Sequence, residues 1–211
     1  MKDQNLVENY GWTNSDGLNS GNYITPIVLQ ILKSHRAKRV ADLGSGNGAL
    51  CARLRSLGFD VVGVEQDRNG FEIASEHYSD IKFYNYGVQD DPKKLLEQEE
   101  LFDAVISTEV IEHLYSPHLL PVYARSILKP NGLLIISTPY HGYLKNLALS
   151  IFDHWDAHHT PLWHGGHIKF FSRKTLESLL VENKFSVCDF YGAGRVPYLW
   201  KSMIMVAKPL S

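Results

Sequence analysis

Two groups of residues in this chain have types and spacings suited to chemistry. The first is Asp42-Leu43-Gly44-Ser45-Gly46-Asn47-Gly48, an acidic residue followed at once by glycines at alternate positions. Glycines spaced in this way let the backbone turn tightly and approach a ligand, because no Cβ stands in the way. The apolar run Arg39 to Leu43 reads as a buried strand, and Ala49-Leu50-Cys51-Ala52-Arg53-Leu54 resumes helical spacing. Strand, glycine turn and helix in succession bring backbone N–H groups against a ligand at a helix N-terminus. The second group is Glu109, Glu112, His113 and, further along, His167. Carboxylates and imidazoles can move protons or hold a divalent ion.

The glycine loop admits two ligands. Gly44, Gly46 and Ala49 satisfy the dinucleotide pattern G-x-G-x-x-G/A, so an NAD oxidoreductase is one reading. Gly48 and Asp42 favour the other. A carboxylate just before the loop repels a pyrophosphate but suits the ammonium and sulfonium groups of S-adenosylmethionine (SAM). Glu65 ends the next strand, where a doubly wound fold sets an acid against ribose hydroxyls. NAD enzymes use the same device, so Glu65 does not separate the two.

The elements that must position these residues alternate along the chain. Residues 1 to about 22 mix Asn, Gly, Ser and Asp with Tyr10 and Trp12, the composition of an irregular arm that covers the cleft or straps the surface. Ile24 to Leu32 has helical spacing, with Pro26 placed in its first turn. Strands are expected at Asp60 to Glu65, Ile81 to Tyr84, Phe102 to Ser107 and Leu133 to Ser137. Between them come a helix capped by Asp67 and running to about Tyr78, one around Pro92 to Glu99, and one from Ser116 to Leu128. The last stops at the turn signal Lys129-Pro130-Asn131-Gly132. Strands and helices alternating in this way form right-handed βαβ units and a parallel sheet.

The rhythm breaks at Tyr140. Residues 140–171 insert a helix-like segment, Leu144 to Phe152, and a stretch rich in His and Trp. Loops of that length in a compact domain are functional or disordered. A helix from Arg173 to Glu182 capped by Ser172, and strands at Ser186 to Phe190 and Ser202 to Ala207, complete the chain. The organisation is an arm, 1–22, and one α/β domain, 23–211, carrying the insertion. Its sheet is seven-stranded and mostly parallel, with helices on both faces.

Composition narrows the class. Of 211 residues 44% are apolar and 21% charged, ordinary proportions for one globular domain. A formal net charge of −2 argues against a nucleic-acid partner. Cys51 and Cys188 lie in apolar stretches and read as reduced thiols, which points to the cytoplasm. No apolar run reaches transmembrane length, and the polar start Met1-Lys2-Asp3-Gln4-Asn5 has no signal-peptide pattern.

Asp42-Leu43-Gly44-Ser45-Gly46-Asn47-Gly48 resembles motif I of the class I SAM-dependent methyltransferases, a Rossmann-like family. Ser107-Thr108-Glu109-Val110-Ile111-Glu112-His113-Leu114, Leu128-Lys129-Pro130-Asn131-Gly132 and Ser137-Thr138-Pro139 add a likeness to the ubiquinone-biosynthesis O-methyltransferase-like branch (methyltransferase types 11 and 12). The likeness runs from about Val40 to Gly192, loosely through the insertion. It implies SAM as donor and S-adenosylhomocysteine as product. The implied binding set is Asp42, Gly44, Ser45, Gly46, Gly48, Glu65, Gln66, Gly87, Val88 and Glu109. Members carry a Gly-Asp-Ala-like signature at the adenine loop, where this chain reads Tyr86-Gly87-Val88-Gln89-Asp90, so backbone groups of Gly87 and Val88 are assigned there, with Asp90 in solvent.

The acceptor implied is a small or lipid-like hydroxyl compound. His113 and His167 are the candidate catalytic bases. An RNA 2′-O-methyltransferase and a non-catalytic SAM- or nucleotide-binding module are the alternatives. Glu109, Glu112 and His113 at i, i+3 and i+4 share a face if helical, and with His167 they match the metal ligands of small-RNA 2′-O-methyltransferases. The metal-free reading is preferred here, with Glu109 turned to SAM and no metal assigned. His154, His158, His159 and His164, beside Trp155 and Trp163, wall an acceptor pocket or sit in a solvated loop.

Overall fold

The computed structural model describes residues 11–17, 20–159, 161–163 and 165–210. Tyr10, the rest of 1–10 and His164 lie outside the described residues. In chain order the elements are α1 (Gly21–Ser34), β1 (Arg39–Leu43), α2 (Ala49–Ser56), β2 (Asp60–Val64), α3 (Arg68–His77), β3 (Lys82–Tyr84) and α4 (Lys93–Leu96). They continue with β4 (Phe102–Thr108), a 3-10 turn (Ile111–His113), α5 (Leu119–Ile127), β5 (Leu128–Pro139), α6 (Tyr143–Ile151), α7 (Trp155–His159), α8 (Arg173–Glu182), β6 (Phe185–Ala193) and β7 (Ser202–Pro209).

The strands form one seven-stranded sheet in the order β3-β2-β1-β4-β5-β7-β6. β1 to β5 run parallel, while β7 is antiparallel to both β5 and β6. Strand side chains alternate between two helical layers, as the period of two demands. Leu43, Val105, Leu134, Ile136 and Met205 join Leu120 and Ile127 of α5 and Leu176 and Leu180 of α8 on one face. Val40, Ile106, Leu133, Ile135 and Val206 join Ile24, Val28 and Ile31 of α1 and Leu54 of α2 on the other. Strand order reverses between β1 and β4, whose C-terminal ends therefore open a crevice.

Local signals explain most boundaries. Asp67 accepts from the Gly70 N–H at 2.7 Å and starts α3, and Ser172 with Thr175 forms a reciprocal cap on α8. Two expectations fail. α1 begins at Gly21, before its apolar spacing does, so Pro26 sits past the first turn, where it removes the N–H that would meet the Asn22 carbonyl. Lys129-Pro130-Asn131-Gly132 does follow the end of α5 at Ile127, but it forms no turn between helix and strand. β5 already pairs with β4 at Leu128 and Phe102, then bulges before resuming at Leu133 and Ala104. Pro130 is tolerated there because a bulge leaves ladder positions unpaired. No helix of the described residues is long and apolar enough to cross a membrane.

Candidate functional site

The crevice at the strand ends is a cavity of about 830 Å³. Its floor is the loop after β1, its flanks the loops after β2, β3 and β4, and its far wall α1. Gly44, Gly46 and Gly48 all have positive φ (79°, 54° and 80°), so the alternation of glycines reflects alternation of the backbone. Gly44 N–H and Ser45 N–H donate to the Val64 carbonyl at 2.8 and 3.2 Å, tying the loop to the end of β2.

Glu65 holds that loop from the side. Its carboxylate accepts from Gly46 N–H at 2.6 Å and from Asp67 N–H at 2.7 Å. Burial pushes its pKa up to about 7 against the pull of those backbone donors. Asp42 lies deeper, only 1% exposed. One oxygen accepts a 3.4 Å bond from the Cys51 thiol, while Oδ1 is buried without a partner. Burial raises Asp42 to about 7, and the charge of Glu65 adds to the shift.

Nine of the ten expected binding residues line this cavity: Asp42, Gly44, Ser45, Gly46, Glu65, Gln66, Gly87, Val88 and Glu109. Gly48 does not. A Cβ there would lie 2.9 Å from Ala74 and Phe83 and 3.0 Å from Tyr78, so its lack of a side chain serves helix packing. The adenine-loop assignment also changes. Gly87 N–H already donates to Asp90 at 2.8 Å, so Asp90 is a loop cap rather than a solvated acid.

The arm is a cover. The Trp12 ring stands directly over the Gly46 Cα, where a Cβ would collide with it. The Asn47 amide donates to the carbonyls of Asn14 and Asp16, both at 2.8 Å. Asn69 donates to the Trp12 carbonyl, and the Tyr78 hydroxyl to that of Ser15 at 3.2 Å. Composition marked Trp12 as needing a packing partner but carried no signal for which one.

After β4 the expected helical face does not form. Glu109 has φ 55° and only one 3-10 turn follows, so the i, i+3, i+4 argument does not hold. Glu109 turns aside to accept from Ser137 at 2.8 Å and Ser202 at 3.0 Å, and burial raises it to about 7. Glu112, fully buried, accepts from Thr138 at 2.9 Å, and its other oxygen lies 4.0 Å from His167 Nε2. The insertion is stitched to this turn, since the Ile168 and Lys169 N–H groups both donate to the Glu112 carbonyl.

His113 lines the large cavity and His167 does not. His113 Nδ1 is 2.8 Å from the Gly165 carbonyl, which can only accept, so Nδ1 carries the proton and Nε2 the lone pair. Burial lowers its pKa. The His113 and His167 rings meet edge to face at 4.9 Å, and Glu112, His113 and His167 bring ligand-type atoms within 4.8 Å of one another. Glu109 is outside that trio. His167 instead lines a second cavity of about 280 Å³ with Glu109, Lys145, His158, Arg195 and Lys201. The lone Lys in α6 gave no hint that Lys145 is buried there, its pKa pushed to about 8 mainly by burial. Trp163, Tyr86 and Arg53 also line the large cavity without any motif to announce them.

Comparison with known proteins fits this geometry. A ubiquinone biosynthesis O-methyltransferase from Bradyrhizobium diazoefficiens is 28% identical over 165 residues, covering 76% of this chain and 63% of that protein. A mitochondrial ubiquinone biosynthesis O-methyltransferase from Rattus norvegicus is 33% identical over 153 residues, covering 71% and 44%. The chain thus spans about half the length of the curated relatives it matches. Magnesium protoporphyrin IX methyltransferase from Synechocystis PCC 6803, with bound SAH, shares the fold at a TM-score of 0.64 and 17% identity over 87% of this chain and 81% of that one. The methyltransferase domain family matches residues 20–188, and the chain belongs to that family.

Proposed function

We propose that the chain transfers a methyl group from SAM to a hydroxyl of a small or lipid-like acceptor. The observation that carries this reading is Asp42, a buried carboxylate whose Oδ1 has no partner beside the glycine loop. An orphaned buried acceptor of that kind calls for a cationic donor. The residues fit SAM. Asp42 suits an ammonium group, Glu65 retains lone pairs for ribose hydroxyls, and the glycine loop admits close backbone approach. Bound there, SAM supplies an electrophilic methyl carbon on a sulfonium.

The other residues position and deprotonate. Much of methyl transfer is alignment of two reactants, which the Trp12 cover and the insertion serve by excluding water. His113, its Nδ1 proton held by the Gly165 carbonyl, stands at the cavity wall as the base. His167 stands behind it. The relatives named for ubiquinone biosynthesis support an oxygen acceptor with an apolar body. The organisation proposed is an N-terminal arm, one methyltransferase domain and an acceptor-side insertion, working in the cytoplasm, where the free thiols Cys51 and Cys188 stay reduced.

Calorimetry with SAM and NADH, followed by incubation with labelled SAM and a cell extract, tests the reading. SAM binding and a labelled methyl ether are expected. NADH binding without SAM binding would overturn it, and label on RNA would replace the acceptor.

A further inference from the structure

The end of β5 and the insertion bring together three histidines, of which only His158 lines a cavity described above. His141 comes just after β5, and His158 and His159 end α7. One ring nitrogen of each lies within 4.8 Å of the other two. The His141 and His159 rings stack at 5.5 Å, His158 meets His159 at 4.8 Å, and His141 meets His158 at 6.0 Å. Nε2 of His141 and Nε2 of His159 are buried with no hydrogen-bond partner. His141 is only 8% exposed, and a buried polar atom left unmet is costly.

Their surroundings favour the ligating form. Burial lowers the pKa of His141 to about 3 and of His158 to about 4, and lowers that of His159 as well. Neutral imidazole is the state that binds metal. Phe170 packs edge-on against His141 at 5.1 Å and His159 at 5.0 Å, and Trp155 covers His159 at 4.2 Å. These rings lay apolar surface beside the cluster while each stays about half exposed. The Lys145 ammonium, which donates to the Lys201 carbonyl at 3.4 Å, adds its charge to the lowering of pKa at all three histidines. α7 itself has five residues and buries none of them. Such a helix has little of its own to hold it in place.

We propose that His141, His158 and His159 form a binding site for a divalent cation of the Zn²⁺ class, which ties α7 to the end of β5. Three imidazoles without an oxygen ligand select Zn²⁺, Co²⁺, Ni²⁺ or Cu²⁺ over Mg²⁺ and Ca²⁺. Bonds of about 2.0–2.1 Å in tetrahedral array need the nitrogens roughly 3.4 Å apart, so the rings need close by at most about 1.4 Å on binding. A fourth position stays open to water. The site shares no residue with the Glu112, His113 and His167 trio and does not depend on methyl transfer.

The test uses the full chain stripped by a chelator, then titrated with Zn²⁺ by calorimetry and with Co²⁺ by visible absorption. The His158→Gln/His159→Gln double variant is compared with Glu112→Gln, which alters the other trio. Zn²⁺ binding and the Co²⁺ spectrum should survive in Glu112→Gln and be lost in the double variant, with Mg²⁺ giving no heat. Bound Zn²⁺ should also slow proteolysis within 143–163 in the wild type alone. Circular dichroism checks the double variant's fold. Should it fail, His159→Gln alone is read, with affinity expected to fall by more than the roughly 10–100-fold that loss of an outer-shell partner costs. No Zn²⁺ binding by the wild type, equal binding by the histidine variants, or loss only in Glu112→Gln would overturn the proposal.

Discussion

Asp42 carries opposite obligations to binding and to folding. Its folded pKa of about 7 lies above the ordinary 3.8, so its contribution to stability is full below about pH 4 and is lost as pH rises through about 7. As pH rises through neutrality the ligand-free fold therefore takes on an unfavourable buried charge. Asp42→Asn should raise the melting temperature, more at about pH 8 than at about pH 5, while weakening SAM by about 1.5–3 kcal/mol, the range for a hydrogen bond to a charged group. A lower melting temperature at about pH 8 would mean that the empty fold already satisfies the carboxylate. His113 gives the complementary test. Burial depresses its pKa below 6.5, so Nε2 loses its proton early and activity should rise along a limb centred below that value. His113→Ala should cost about 10²–10⁴-fold in turnover with SAM binding intact, and Mg²⁺ or Mn²⁺ added after EDTA should change nothing. Activity that falls with EDTA and returns with Mg²⁺ or Mn²⁺ would instead make Glu112, His113 and His167 a working metal centre.

At the scale of elements the glycine loop and the arm act as one unit. A side chain at Gly46 meets Trp12, so a substitution there disturbs the cover before it meets any ligand. Gly46→Ala should weaken SAM through two separable effects, the Trp12 collision and the positive φ of 54°. A cycle with Trp12→Ala separates them. In the Trp12→Ala background the penalty of Gly46→Ala should shrink to the roughly 1–2 kcal/mol of a left-handed backbone. An unchanged penalty would place the ligand, not Trp12, against that Cα. The loop was legible in the sequence because its signal is local: an apolar strand, an acid, and glycines where φ turns positive. The segment after β4 was not, because helical spacing says nothing of a backbone that turns left-handed at Glu109. Gly48 looked like its neighbours, and only the packing of Ala74, Phe83 and Tyr78 assigns it to the helix side. Pro130 reads as a stop in one dimension and as a bulge once β4 lies beside it.

Across the whole molecule the two cavities draw on different parts of the chain. The large one is built from strand ends and α1, which are regular and positioned by two continuous apolar layers, with residues 11–17 laid across it. The small one joins Glu109 at the end of β4 to Lys145 and His158 of the insertion and to Arg195, Lys201 and Ser202 of the β6–β7 hairpin. Such convergence of distant segments leaves no periodic trace, so the alternating strands and helices were readable while the second cavity was not. The same division makes donor binding and acceptor turnover separable. Replacing 143–159 with a short Gly/Ser linker removes α6 and α7 but keeps Trp163, His167 and the bonds from Ile168 and Lys169 to Glu112. SAM affinity should then stay within about threefold, roughly 0.65 kcal/mol, because the segment lines none of the large cavity. Methyl transfer should fall to background, since Lys145 and His158 no longer close the second cavity. Calorimetry and a labelled-methyl assay on the same preparation read both. Loss of SAM binding with the fold intact by circular dichroism would show that the insertion supports the donor site, and retained turnover would place the acceptor wholly within the large cavity.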